Sequence, residues 1–191
     1  LIFRLPENYF KGTKMEILCA PNVNHDMADN LDKINSYLDA LADFCKPESD
    51  VCTDLYIEKI EIETIELESL IHYYRDILEI DMVCSQIESY QNQSDVFQSI
   101  QNILKKMFCF EHYIFPQCVK RDEPVVAHQH IEEHTEYLTN RIMRLDDIQA
   151  AALPKEWVKI PNGRYWYECY WEDLFLLGKT GVYILHLGLS D

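Results

Sequence analysis

Glycine is scarce: there are five in 191 residues, and none between Gly12 and Gly163. Glycine is the default residue where the chain must take positive φ, in tight hairpins and phosphate-cradling loops. The gap therefore excludes a Walker-type loop over those 150 residues and argues for helices joined by short polar connections. Basic residues are also few, 17 against 33 acids, for a formal charge of −16. Nucleic-acid binders carry a basic footprint, and anionic membranes attract basic segments, so neither partner suits this chain. No apolar run approaches the ~20 residues of a membrane helix. Residues 1–20, interrupted by Arg4, Lys11 and Lys14, show no signal peptide. A serine nucleophile elbow and any CxxC pair are missing. The seven scattered cysteines read as reduced, mostly buried thiols of a cytoplasmic protein, with Cys45 and Cys52 bracketing a turn.

What is present is helical periodicity. Met27, Leu31, Ile34, Leu38, Leu41 and Cys45 form one apolar stripe, capped by Asn24 or Asp26 and ended by Lys46-Pro47. Ile57, Ile60, Thr64, Leu67, Ile71, Tyr74 and Leu78 repeat the rhythm, with Thr53 or Asp54 as the cap. Ile60-Glu61-Ile62-Glu63 alternates with period two, a local strand signal inside that stretch. A third stripe runs from Val96 through Ile100, Ile103, Met107 and Phe110 to Ile114, capped by Ser94 or Asp95 and stopped at Pro116. A fourth runs from Ala127 through Ile131, His134, Leu138, Ile142 and Leu145 to Ile148, between Pro124 and Pro154. The remaining four glycines crowd into the last 29 residues, where aromatic and β-branched runs replace the helical pattern. The expectation is a mainly α fold: a four-helix bundle over 24–153, preceded by an N-terminal extension over 1–23. A short β-hairpin or sheet appendage follows over 154–191. Within the extension, Glu7-Asn8-Tyr9-Phe10-Lys11-Gly12 loosely resembles a protease-site remnant, and Met15 is a candidate natural start.

The charge is unevenly placed. Residues 54–88 hold ten acids against Lys59 and Arg75, so half of the net charge falls on the expected second helix. Glu61, Glu63, Glu66 and Glu68 are its densest part. Such a face either keeps a helix soluble or docks a basic protein through electrostatic steering.

The histidines form a second pattern. His130 and His134 are spaced i,i+4, so both imidazoles project from one helical face. His72, Glu111 and His112 lie on or beside other expected helices, and ligands converging from facing helices are how bundle metal sites are built. The segments His72-Tyr-Tyr-Arg75, Glu111-His-Tyr-Ile-Phe115-Pro116 and Glu133-His134-Thr-Glu-Tyr137-Leu138 resemble, in order and spacing, the ligand helices of the hemerythrin-like family. That resemblance implies a helical bundle binding non-haem iron through His72, Glu111, His112, His130 and His134. Its function would be to bind or sense dioxygen, nitric oxide or iron. The family's histidine before the glutamate falls on Met107 here, and no final ligand helix is evident.

Two other motifs are weaker. His130-Ile-Glu-Glu133-His134 has the H-x-x-E-H form of inverted zinc proteases, but only 57 residues follow it. Arg121 and His128 sit at the edge of the Arg-x(4–6)-His spacing of HEPN ribonucleases, with Pro124 inside the interval. In the aromatic run 165–171, strand alternation places Tyr165, Tyr167 and Cys169 opposite Trp166, Glu168 and Tyr170. Two non-enzymatic functions remain: an iron-binding bundle, or an acidic interaction protein such as an immunity protein, antitoxin or viral adaptor with a basic partner.

Overall fold

Two connections between elements, and one irregularity within a strand, take positive φ without glycine. Glu79, Asp147 and Glu156 take φ of 55°, 45° and 53°, in the left-handed region. They allow strands where an absence of glycine argued for uninterrupted helix. The computed structural model describes residues 27–45, 52–108, 124–161, 163 and 170–190. In chain order the elements are helix α1 (Met27–Cys45), strand β1 (Cys52–Ile60), a short helix α2 (Leu67–His72) and a π-helical turn (Tyr73–Ile77). Strand β2 (Met82–Tyr90), helix α3 (Gln93–Phe108) and helix α4 (Pro124–Leu145) follow. Strands β3 (Ala150–Lys159), β4 (Tyr170–Leu177) and β5 (Val182–Ser190) complete the fold.

The five strands form one antiparallel sheet in the order β1-β5-β4-β3-β2. The mainly α four-helix bundle with a β appendage is therefore overturned. The C-terminal strands occupy the middle of the sheet, and Leu174, Phe175, Leu176, Ile184, Leu185 and Leu187 are fully buried. The segment expected as the second helix divides between β1, a loop, α2 and the π turn. Side chains on a strand alternate between faces. Leu55 and Ile57 point to one face of the sheet and Tyr56 and Ile60 to the other, and both faces are covered.

On the first face, α1, α3 and α4 pack Ile34, Leu38, Val96, Ile100, Leu104, Leu138 and Ile142 over Leu174, Leu185 and Leu187. Of the expected stripes, Ile34 and Leu38 of α1 and Leu138, Ile142 and Leu145 of α4 are buried, whereas His134 is exposed and α4 ends at Leu145; α1 spans the expected residues. Asn92, rather than Ser94 or Asp95, caps α3: its Oδ1 accepts from the Asp95 amide at 2.9 Å. On the second face, α2 and the π turn bury Leu70, Tyr73 and Tyr74 against Ala152, Phe175 and Ile184. Along β3 the alternation changes phase at Glu156, so Trp157 joins Ala150 and Ala152 on the second face.

The β1 edge is closed by a side chain. Asn35 of α1 donates through Nδ2 to the Ile57 carbonyl and accepts from the Ile57 amide, both at 2.8 Å. One amide thereby stands in for a neighbouring strand, a device against edge-to-edge pairing. Replacing Asn35 by Ala leaves both backbone groups of Ile57 unpaired and is expected to cost ~1–3 kcal/mol. Urea unfolding with an unchanged m-value measures it; a loss below ~0.5 kcal/mol contradicts the role.

Candidate functional site

Three polar groupings stand out. The first is sealed in the core on the second face. Asp173 of β4 and His186 of β5 are 2% and 1% exposed, and they face each other in the β4–β5 register. His186 donates from Nδ1 to Asp173 Oδ1 at 2.6 Å, and Tyr74 of the π turn donates its hydroxyl to Asp173 Oδ2. Tyr56 of β1 stacks on the imidazole, with ring centroids 4.8 Å apart. Beside it, burial and the Glu58 carboxylate push the Tyr73 phenol up. This Tyr–Asp–His array joins four elements, but it is closed to solvent and so is a structural network.

The second grouping is the acidic connection from β1 into α2. Ile62 and Ile65 are buried in the second core, and Glu61, Glu63, Glu66 and Glu68 are exposed between and beyond them. Among the described residues, none of the four carboxylates has a basic partner. The nearby cation Arg75 is engaged by Asp76, with two contacts of 2.8 Å. The Arg75 guanidinium, helped by His72, holds the Asp76 carboxyl well below the usual carboxylate range. Ile77, at the end of the π turn, is 41% exposed.

The third is a cleft of about 590 Å³ on the first face, between α3 and the β2–β3–β4 surface. Strands β3 and β4 pair only from Ala150–Ala152 to Phe175–Leu177. Beyond those pairs Trp157 and Trp171 meet on the second face, with ring centroids 5.8 Å apart, and the cleft opens on the first. Leu153 and Ile103 supply its apolar surfaces. Lys106 of α3 contacts both carboxylate oxygens of Glu172 at 2.5 and 2.6 Å, and Tyr170 donates to Glu172 at 3.3 Å. Lys155 lies 3.6 Å from Glu88, a loose and half-exposed pair. Lys105 turns to Glu132 of α4 at 2.7 Å. Burial and the neighbouring carboxylates push two phenols at the cleft up to about 12: Tyr90 beside Glu88, and Tyr170 beside Glu172.

The expected metal ligands are not brought together. His72 lies exposed on α2, bonded to Asp76 at 2.7 Å. His134 is exposed on α4, bonded to the Tyr37 hydroxyl, with Tyr137 close by. The elements carrying these histidines cover opposite faces of the sheet, so the two share no metal site. Glu111 and His112, and the His130 side chain, lie outside the described residues. Among the described residues no group of three or more His, Cys, Asp or Glu is arranged to hold a metal ion. The readings of a helical bundle and of a metal-binding protein are corrected accordingly.

The network and the cleft carry weaker signals in the sequence. His186 is a lone polar residue in an apolar strand run and Asp173 follows Glu172 at the start of another, and their pairing follows from a register that no local motif encodes. Lys105, Lys106, Lys155 and Glu172 meet only because β4 lies beside β3. No helix among the described residues is long and apolar enough to cross a membrane. No family model, curated protein or solved structure matches the chain.

Tyr74→Phe removes one of the two partners of a buried carboxylate and is expected to cost ~1–3 kcal/mol in urea unfolding. A neutral effect would show that the hydroxyl contributes nothing to holding the π turn on the sheet. The cleft phenols give a second prediction. They keep their protons in the folded chain to about pH 12, whereas an ordinary phenol ionises near ~10. Between those values the folded state binds more protons, so stability is full below pH ~10 and falls as pH rises toward 12. Tyr170→Phe should remove one late-ionising phenol from the ultraviolet phenolate titration; an unchanged late step overturns the assignment.

Proposed function

We propose that the protein is a non-enzymatic interaction protein whose acidic segment 61–68 docks a basic protein partner. The observation carrying this reading is the exposure of Glu61, Glu63, Glu66 and Glu68 in eight residues, without a basic partner among the described residues. Four like charges repel one another and give nothing to the fold, and a cationic partner relieves that repulsion. Ile62 and Ile65 pin the backbone between them, so the carboxylates are presented from an ordered segment and little entropy is lost on binding. A nucleic acid is the wrong partner, because its phosphates meet the same charge of −16. A reducing, cytoplasmic setting belongs to the reading: Cys84 is a buried free thiol whose pKa burial pushes up.

The test uses a decalysine peptide and calorimetry at two salt concentrations. The quadruple variant E61K/E63K/E66K/E68K is compared with D32K/D39K/D54K/E136K, which changes the same amount of charge at other exposed positions. The expected result is salt-sensitive binding that falls at least about tenfold in the first variant, with the second losing much less. Equal losses in both variants would reduce the effect to bulk charge and overturn the docking segment.

A further inference from the structure

We propose that the cleft between α3 and the parted strands β3 and β4 binds a small zwitterion bearing an apolar side chain, the chemistry shared by a free amino acid and a short unblocked peptide. Its volume of about 590 Å³ lies within the ~300–1,000 Å³ of small-molecule sites. That is the room of roughly 20 waters at ~30 Å³ each.

The walls present both signs of charge. Lys105, Lys106 and Lys155 supply ammonium groups; Glu88 and Glu172 supply carboxylates. These pairs differ in strength. Lys106–Glu172 is tight, doubly bonded and largely buried at the carboxylate, so it belongs to the wall. Lys155–Glu88 is 3.6 Å apart with both side chains about half exposed. Such a pair contributes little and opens at little cost. A zwitterion inserts there with its carboxylate on Lys155 and its ammonium on Glu88, replacing one loose ion pair by two contacts. Its side chain then meets Leu153 and Ile103, which are otherwise apolar surface at the bottom of a polar cleft.

The backbone points the same way. β3 and β4 are neighbours in the sheet order, yet they pair over only three residues, whereas β4 and β5 pair over eight. Where they part, Leu153 and Lys155 of β3 and Tyr170 and Glu172 of β4 border the cleft. The parting of the two strands is what gives the cleft its width on this face. The net charge selects against a simple anion: the chain carries −16, and a ligand of zero net charge approaches without the long-range repulsion. This site lies apart from the acidic segment, on the other face of the sheet, and stands or falls independently of it.

The experiment is a titration of the isotopically labelled full chain, followed by amide chemical shifts. The probes are leucine, leucyl-leucine, N-acetyl-leucine amide and isovalerate, each to about 10 mM, where a Kd of ~1 mM is saturated. The expected result is saturable shifts confined to the amides of Tyr90, Lys105, Leu153, Lys155 and Tyr170 with leucine or leucyl-leucine; whichever binds tighter separates amino acid from peptide. Lys155→Gln and Glu88→Gln alter exposed side chains and should leave the rest of the spectrum unchanged. Each should weaken binding about threefold or more. Four results overturn the proposal: no saturable shifts, shifts located elsewhere, equal binding of the blocked amide or of isovalerate, or unaltered binding in both variants.

Discussion

Asp173 is the constraint around which the sheet is organised. A carboxyl group taken fully out of water costs several kcal/mol unless each oxygen is satisfied. Here one oxygen takes the His186 imidazole and the other the Tyr74 hydroxyl. The first contact fixes β4 against β5. A one-residue slip would turn Asp173 onto the helical face, among Leu185, Leu187 and the α3 side chains, away from His186 and Tyr74. The second contact fixes the π turn on the opposite face. Two consecutive tyrosines, Tyr73 and Tyr74, are buried by that turn, and both make edge-on contacts with Phe175, 5.6 and 5.8 Å between ring centroids. The network thereby specifies register and docking, which hydrophobic burial, being non-directional, specifies poorly.

The acidic segment depends on the same anchor. Its carboxylates stand on a loop held at one end by β1 and at the other by α2, and α2 continues directly into the π turn. Tyr74 adds a directional contact to the apolar anchors Ile62, Ile65, Leu70 and Tyr73 that hold this stretch on the sheet. A fixed display of like charge is the unfavourable arrangement for an isolated chain and the favourable one for binding, because the ordering cost has been met by the core beforehand.

The amphipathic helices α1, α3 and α4 were legible in the sequence because their apolar residues recur at helical spacing over several turns. The strands were obscured for a specific reason. Glycine marks a reversal only when no other residue accepts positive φ, and Glu79 and Asp147 accept it here. Without that signal, β2 was absorbed into a helical reading, and β3 was divided between the end of a helix and the start of a tail. Pro154 misled in the same direction: it sits within β3, opposite Ile87 of β2, rather than beyond a helix. The acidic segment was visible as composition, although it is a loop and a short helix rather than one long helical face. The network and the cleft were not visible, because each joins residues distant in sequence, Tyr74 with Asp173 and Lys106 with Glu172, whose approach is a property of the sheet order.

The cleft and the buried network share a strand and not a face. Glu172 points to the cleft and holds Lys106; Asp173, the next residue, points to the core and holds Tyr74. Period-two alternation makes this inevitable: adjacent residues of one strand serve opposite layers. A large partner on the acidic segment therefore leaves the cleft open, and a small ligand in the cleft leaves the carboxylates exposed. One route between them runs from the π turn through Tyr74 and Asp173 into the backbone of β4. That strand is paired along its whole length with β5 and along only three residues with β3. The β5 side is thus the rigid one, and movement, where a ligand demands it, falls on the β3 side, where the strands already stand apart.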